Sequence, residues 1–362
     1  MAFAWIERMF PVNEKKEMHV ETIRGLACIA LVSYHVVGSQ PTSGMSLPAD
    51  DWLSILQQCL ADVRMPLFTF VSGYVFVAIA RPGTEWYQLL LKKVRRLLLP
   101  LVSVTTLFWL VRHMLGYQQT PLYLAYFWPY EHFWFLQSTF LLMTSLLVLN
   151  ALCADRNGAL TLRQDVRNAS LIGLVGAAVY ISSGMVPVHV FSVFHAVHLA
   201  PFFMAGHVLG VMGRTTFAQL PRTARPVAAS VLLACIVLGT TQAFGLLSID
   251  SAELRRGLSL LAGLGAAFAL FALRPRNRVL SWIGDKSYAI YLFHVFFTAA
   301  TQMVWSRMFP GAEIHLVYLP ALVAGLLGPI LVQYLILRSP VASWLLLGMR
   351  RPVFRKSDPA SA

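Results

Sequence analysis

Charged residues are scarce in this chain of 362 residues, where Asp, Glu, Lys and Arg together make up 12%. A soluble globular protein carries roughly 25% of them. Hydrophobic residues make up 57% of the chain, and its mean hydropathy is +0.64. The shortage of charge therefore excludes an ordinary soluble domain and indicates a membrane protein.

Acidic residues are scarcer than basic ones, with 16 Asp and Glu against 29 Lys and Arg. Such an excess of positive charge is typical of nucleic-acid-binding proteins. Here, however, the basic residues are spread between apolar segments and form no contiguous patch. The tendency of Lys and Arg to stay in cytoplasmic loops explains them better. We therefore expect membrane lipids around this chain, and no nucleic acid.

Several chemical signatures are missing. The four cysteines are widely spaced without a CxxC pair, which is typical of small core residues. No HExxH, P-loop, GxSxG or dinucleotide-binding pattern occurs. His195 and His198 lie one helical turn apart, but no carboxylate or cysteine completes a ligand set, so we expect no metal. The N-terminus lacks an apolar run followed by a small-residue cleavage site, so we expect no removed signal peptide.

Long apolar segments are what the chain does contain. A membrane-spanning helix needs about 20 mostly apolar residues, and by this measure the sequence predicts an all-α, polytopic membrane protein with about ten spans. The predicted spans are 19–38, 64–81, 96–116, 131–153, 169–184, 190–213, 226–246, 254–273, 284–305 and 314–338.

Basic residues mark every second connection between these segments. Since Lys and Arg accumulate on the cytoplasmic side, the alternation predicts an even number of spans with both termini in the cytoplasm. We expect a cytoplasmic N-terminal segment at 1–18, a transmembrane domain at 19–345 and a cytoplasmic tail at 346–362. An outer loop is expected near 39–63.

The first segment carries three ionisable side chains on one helical face, those of Glu21, Arg24 and His35. The eleven residues from Arg24 to His35 make three turns with about 20° left over and a rise of about 16 Å. A structural imidazole and an interfacial Glu21–Arg24 pair would be the simpler explanation. Their alignment instead favours a functional site in a water-accessible interior of the helix bundle. There His35 would act as a general base on a hydroxyl.

A basic cluster precedes the third segment and consists of Lys92, Lys93, Arg95 and Arg96. Its charge alone fits the positive-inside rule or contact with anionic lipids. The alternative is a cytoplasmic site for a nucleotide-like carrier with several phosphates, which Arg binds through paired hydrogen bonds.

Polar side chains also occur in the second, fourth and ninth segments. In the second, Ser72 beside Gly73 is explained by close helix packing. In the ninth, Ser287, Tyr291 and His294 recur at i, i+4 and i+7 on one face. At the start of the fourth, an interfacial belt explains the aromatic residues, whereas Glu131 and His132 have no such explanation.

Five stretches of the chain, in this order and spacing, resemble the integral-membrane acyltransferase 3 family of bacterial enzymes that O-acylate cell-envelope and secreted glycans. They are ETIRGLACIALVSYH, RMPLFTFVSGYVF, KKVRRLLLP, HFWFL and LSWIGDKSYAIYLFH. The resemblance covers nearly the whole chain. One departure is Glu21, where the family more often has Asp, and this change keeps the carboxylate.

The resemblance implies transfer of a short acyl group, acetyl first and succinyl second, from cytoplasmic acyl-CoA to a hydroxyl of a polysaccharide. It implies that His35 deprotonates the acceptor hydroxyl and that Arg24, with Glu21 beside it, lines the route of the donor. Tyr291 and His294 would orient His35 or stabilise the oxyanion.

The same resemblance implies the donor-binding residues. The phosphates of the coenzyme would lie at the basic cluster of Lys92, Lys93, Arg95 and Arg96. From the second-segment motif, Arg64 and Ser72 are expected to contribute to the donor site.

The implied location is the bacterial inner membrane, with a polysaccharide or lipid-linked glycan as acceptor and polysaccharide-assembly proteins as further partners. A different class is a proton-coupled or glycan transporter that uses the same polar stripe. However, the two halves of the chain show no paired broken helices. A weaker alternative is a non-catalytic membrane partner of a polysaccharide synthase.

Overall fold

The computed structural model describes residues 17–38, 44–77, 86–117, 120–154, 160–182, 188–216 and 223–349. Most of the predicted N-terminal segment and most of the predicted tail lie outside the described residues. The described part of the chain contains helices and no strand, which confirms the all-α prediction.

Fifteen α-helices follow one another along the described residues. They are α1 (Met18–Val37), α2 (Trp52–Cys59), α3 (Ala61–Val77), α4 (Trp86–Lys93), α5 (Leu99–Met114), α6 (Leu122–Phe127), α7 (Trp134–Cys153), α8 (Leu162–Ile181), α9 (Val193–Thr216), α10 (Ala224–Ala243), α11 (Ala252–Leu273), α12 (Arg278–Asp285), α13 (Ser287–Met308), α14 (Tyr318–Leu337) and α15 (Pro340–Leu347). A π-helical turn, Val94–Leu98, joins α4 to α5, and short 3-10 turns precede α9 and α14.

Among these helices, seven stretches are long and apolar enough to cross a membrane. They contain α1, α4 with α5, α7, α9, α10, α11 and α14. The pair α2 and α3, bent by 47°, makes an eighth if it counts as one span. Helix composition thus confirms a multi-pass membrane protein. It supports seven or eight of the ten predicted spans, while the orientation and the side of the termini stay predictions.

The two other predicted spans, 169–184 and 284–305, fall on α8 and α13. Both are helical, but polar and charged side chains lower their hydropathy. In α8, Asp165 lies 3.0 Å from His207 and accepts a hydrogen bond of 2.6 Å from Asn150, which joins α8 to α9 and α7. In α13 the polar residues include those of the stripe predicted from the sequence.

The predicted outer loop near 39–63 contains a helix that the hydropathy pattern did not indicate. At the start of α2, the Asp51 carboxylate accepts a hydrogen bond of 2.8 Å from the Leu53 amide and caps the helix. Because α2 meets α3 at a sharp bend, it brings the buried Gln57 to α1. There the Gln57 amide donates to the Ser33 hydroxyl at 2.8 Å.

Helix α1 packs against α3, α12, α13 and α14. Its closest approach is to α12, at two glycines. A Cβ atom on Gly25 would lie 2.0 Å from the carbonyl oxygen of Leu280, and one on Gly284 would lie 1.9 Å from that of Glu21. Only glycine fits at either place, since small residues let helices approach this closely. The contact holds α1 beside the start of α13, where the predicted site residues lie.

Candidate active site

A cavity of about 210 Å³ opens between α1, α3, the end of α4 with the π-helical turn that follows it, α7 and α13. Its polar lining side chains are Arg24, Ser72, Lys93, Arg96, Thr139, Ser287, Tyr288 and Tyr291. Aliphatic and aromatic side chains make up the rest of the wall. Five separate stretches of sequence therefore meet at one internal space with three cationic groups around it.

The predicted basic cluster is divided by the structure. Lys93 and Arg96 line the cavity together with Arg24, whereas Lys92 and Arg95 do not. Lys93 is buried, with its Nζ atom 4.7 Å from the centre of the Phe76 ring. The π-helical turn, a feature often found at functional sites, begins directly after Lys93 and contains both Arg95 and Arg96.

The two arginines of the π-helical turn bind the end of α15. Arg96 donates a hydrogen bond of 2.8 Å to the carbonyl of Leu347, and Arg95 donates one of 3.2 Å to that of Gly348. Cations are favourable beside the free carbonyls of a helix C-terminus. The guanidinium of Arg96 also lies 4.3 Å from the centre of the Tyr288 ring, at the cavity. Arg96 therefore joins the cavity wall to α15.

Glu21 and Arg24 form an ion pair inside the protein. One nitrogen of Arg24 lies 3.0 and 3.1 Å from the two carboxylate oxygens of Glu21. Glu21 is buried, and Arg24 is partly exposed toward the cavity. The carboxylate thus fixes the guanidinium at the cavity wall. His35 lies three turns further along α1. Arg24 and His35 are therefore at opposite ends of the site.

Three histidines meet at that second position. The ring centre of His35 lies 4.8 Å from that of His294 and 5.9 Å from that of His132, and the rings of His132 and His294 are 5.0 Å apart. His35 comes from α1, His294 from the second turn of α13, and His132 from the turn before α7. Long-range folding thus builds this histidine cluster of His35, His132 and His294.

Hydrogen bonds define the state of His294. Its Nδ1 atom lies 2.9 Å from the carbonyl oxygen of Ile290 and 3.0 Å from that of Tyr291. A carbonyl only accepts hydrogen bonds, so Nδ1 carries the hydrogen and the Nε2 atom of the neutral ring has a free lone pair. This Nε2 atom is buried and has no hydrogen-bond partner within the described ranges. Next to the rings of His35 and His132, this atom is available to accept a hydrogen bond.

Tyr291 connects the cavity to the histidine cluster. Its ring lines the cavity, and it lies 5.5 Å from the ring of His132. Its hydroxyl donates to the backbone carbonyl of His132. His294 follows three residues later on α13. The cavity therefore extends from the basic residues to Tyr291, and the three histidines lie behind this side chain rather than in the cavity wall.

The two residues of the second-segment motif lie at different ends of the site. Ser72 lines the cavity, and its hydroxyl donates to the Phe68 carbonyl at 2.9 Å. Arg64 is buried but lies outside the cavity wall, with its guanidinium 3.7 Å from the centre of the Tyr34 ring, beside His35. It also donates a long hydrogen bond of 3.4 Å to the side chain of Gln57.

Sequence reasoning assigned no role to His132, Thr139 or Tyr288. Of these, His132 gave a signal as a polar residue that the aromatic belt did not explain, and Tyr288 lies within the stretch LSWIGDKSYAIYLFH that carries the family resemblance. No spacing rule relates it to α1, because the contact depends on how α7 and α13 pack. No three His, Cys, Asp or Glu side chains in the described part of the chain are placed to hold a metal ion.

Fold and site together define a multi-pass membrane protein with an internal cavity lined by basic side chains, and with Tyr291 between this cavity and three imidazoles. A family model described as an acyltransferase domain matches residues 19–338. The chain therefore belongs to the acyltransferase 3 family, which confirms the resemblance, and its activity is acyl transfer from an acyl donor. No curated protein and no solved structure matches the chain.

Proposed function

We propose that the protein is a membrane O-acyltransferase of the cytoplasmic membrane. It transfers a short acyl group, acetyl or else succinyl, from cytoplasmic acyl-CoA to a hydroxyl of a cell-envelope or secreted polysaccharide. The observation that carries this proposal is a cavity surrounded by three cationic side chains, whose wall residue Tyr291 also contacts the histidine cluster. A donor with phosphates at one end and a thioester at the other matches this arrangement.

The cationic end of the cavity suits the phosphates of the coenzyme. Arg24, Lys93 and Arg96 lie around one space, and guanidinium groups bind phosphate oxygens in pairs. Lys92 is exposed nearby and adds attraction at long range. In this proposal the basic end faces the cytoplasm, in keeping with the Lys and Arg pattern of ten spans and two cytoplasmic termini.

The histidine cluster suits the chemistry of the transfer. His35 accepts the proton of the acceptor hydroxyl while that oxygen attacks the thioester carbonyl. In the proposed reaction His294 orients His35: its Nε2 atom has no partner in the structure, so it can accept the N–H of the His35 ring and leave the other nitrogen of His35 basic. Tyr291 acts through its hydrogen bond to the turn of His132, which holds the cluster together.

Release of free CoA thiol by the detergent-purified protein tests the proposal. Acetyl-, succinyl- and propionyl-CoA are the donors, and envelope polysaccharide is the acceptor. Wild type is compared with His35→Ala, Arg24→Ala and the exposed control His113→Ala. We expect release from one donor, lost in His35→Ala by roughly 100- to 10,000-fold, strongly reduced in Arg24→Ala and unchanged in the control.

Two results would contradict this function. The first is folded wild-type protein that releases no thiol from any of the three donors. The second is movement of glycan across a vesicle membrane without release of CoA, which would support a transporter that uses the same polar stripe.

A further inference from the structure

His132 is the member of the histidine cluster for which the sequence predicted no role. It belongs to the turn before α7, and its side chain is 3% exposed. Its ring lies within 6 Å of both His35 and His294, measured between ring centres. It is therefore buried at the point where the proposed base and its orienting residue meet.

The surroundings of His132 fix its ring in place. Phe108 meets the ring edge-on, with 5.9 Å between centres, and the Tyr291 hydroxyl binds its backbone carbonyl. The preceding residue, Glu131, has a φ of 47°, which non-glycine residues seldom adopt. Its carboxylate is held by an ion pair with Arg112. A backbone of this kind persists only where its neighbours impose it.

The polar atoms of the ring have no partner of their own. Neither Nδ1 nor Nε2 of His132 makes a hydrogen bond to any described residue. The carbonyl of Leu292 lies nearby, but outside hydrogen-bonding geometry. Buried polar groups in proteins nearly always have a partner. A fully buried imidazole without a hydrogen-bond partner is poorly suited to a purely structural role. Its nitrogen atoms are instead available to form a hydrogen bond with a substrate atom.

The other two histidines leave one function of the cluster unassigned. A neutral imidazole has one N–H donor and one acceptor nitrogen. His294 uses its N–H on backbone carbonyls. In the proposed reaction His35 uses its N–H on His294 and its other nitrogen on the acceptor hydroxyl. The N–H of His132 is then the donor in the cluster that remains for the thioester carbonyl.

We propose that His132 is a further catalytic residue, which donates its N–H to the carbonyl oxygen of the acyl group. As the acceptor oxygen bonds to the carbonyl carbon, the π electron pair moves onto the carbonyl oxygen, and His132 stabilises this oxyanion. When the C=O bond re-forms, the C–S bond breaks, and the CoA sulfur leaves with the electron pair. His35 gives its proton to that sulfur, so His132 neither gains nor loses a proton.

This inference rests on the proposed acyl transfer and assigns one more group to it. The test compares His132→Phe, which keeps the ring shape without nitrogen, with His132→Asn, which keeps an N–H donor. The matched control is His195→Phe, because the His195 ring also has an unpartnered buried nitrogen but lies outside the cluster. For each protein, kcat and KM for acetyl-CoA, the pH profile of kcat and the melting temperature are measured.

We expect kcat of His132→Phe to fall roughly 100- to 1,000-fold, as for other lost oxyanion donors. KM for acetyl-CoA should stay within about twofold, because the lost contact forms mainly in the transition state. The acid limb of the pH profile should stay in place, since His35 is still the base. The melting temperature should not fall, because no native hydrogen bond is removed, and His132→Asn should keep part of the activity.

Three results would overturn the inference. One is a kcat of His132→Phe within about threefold of wild type. Another is a lower melting temperature with activity lost in proportion to folded protein, which would make His132 structural. A third is a shifted acid limb, which would make it a base. A wild type without thiol release would instead contradict the proposed function, and the inference would fall with it.

Discussion

Two hydroxyl groups in the cavity wall, those of Thr139 and Ser287, are buried without a hydrogen-bond partner among the described residues. Thr139 lies on α7, and Ser287 lies on α13, one turn before Tyr291. In the proposed function the pantetheine arm of a CoA donor passes through this cavity, and its amide groups offer both donors and acceptors. Under that proposal, these hydroxyls would supply polar contacts to the donor.

Replacing Thr139 tests this contact at the scale of one residue. We expect Thr139→Val to raise KM for acetyl-CoA roughly 2- to 12-fold, the value of one ordinary hydrogen bond, while kcat stays unchanged. Steady-state thiol release gives both constants. The matched control is Thr144→Val, because Thr144 on the same helix also has an unpartnered buried hydroxyl but does not line the cavity. An equal change of KM in both variants would contradict the contact.

Helical periodicity identified the residues that act along a single helix. Glu21, Arg24 and His35 could be related through α1, and Tyr291 and His294 through α13, because their spacing depends only on 3.6 residues per turn. His132 could not be found this way, since its distance from His35 depends on the packing of three helices. For the same reason, the sequence could not indicate that Arg64 lies outside the cavity wall.

At the scale of elements, the orientation of the helix decides which basic residues reach the cavity. At 100° per residue, Lys93 and Arg96 are about 60° apart around the helix, whereas Arg95 is about 160° from Lys93. Lys93 and Arg96 line the cavity, and Arg95 donates to the end of α15. Which face meets the cavity depends on packing, so charge alone predicted one undivided cluster.

The contact between α1 and α12 is the element on which the position of Glu21 and Arg24 depends. We expect Gly284→Ala to destabilise the protein by about 1–3 kcal/mol, because the added Cβ atom would overlap the Glu21 carbonyl and force the helices apart. Thermal unfolding of the purified protein measures this. Activity should fall with it, since Arg24 would shift at the cavity wall.

Gly257 provides the control for that substitution. It lies in α11, and a Cβ atom there would meet nothing within 4 Å. Gly257→Ala should therefore leave stability unchanged or raise it by about 0.5–1 kcal/mol, as expected from helix propensity. If both alanine variants unfold at the same temperature, the close approach of α1 and α12 does not limit stability.

At the scale of the whole molecule, composition and hydropathy were sufficient for a multi-pass, all-α protein. They were insufficient for the number of crossings. The polar residues that serve the interior, such as Asp165 in α8 and Tyr291 in α13, make those helices look less like spans. The alternation of Lys and Arg is independent of hydropathy, and it predicts that both helices cross.

That prediction can be tested by labelling single cysteines. In a variant without the native cysteines, one cysteine is introduced at Asp50→Cys, Arg276→Cys or Ala312→Cys, all at exposed positions. Ten spans with a cytoplasmic N-terminus place 50 and 312 outside and 276 inside. A membrane-impermeant maleimide should therefore label the first and last in intact cells, and Arg276→Cys only after lysis. Labelling of 276 and 312 from the same side would mean that α13 does not cross, and the histidine cluster would then be reached from one side of the membrane only.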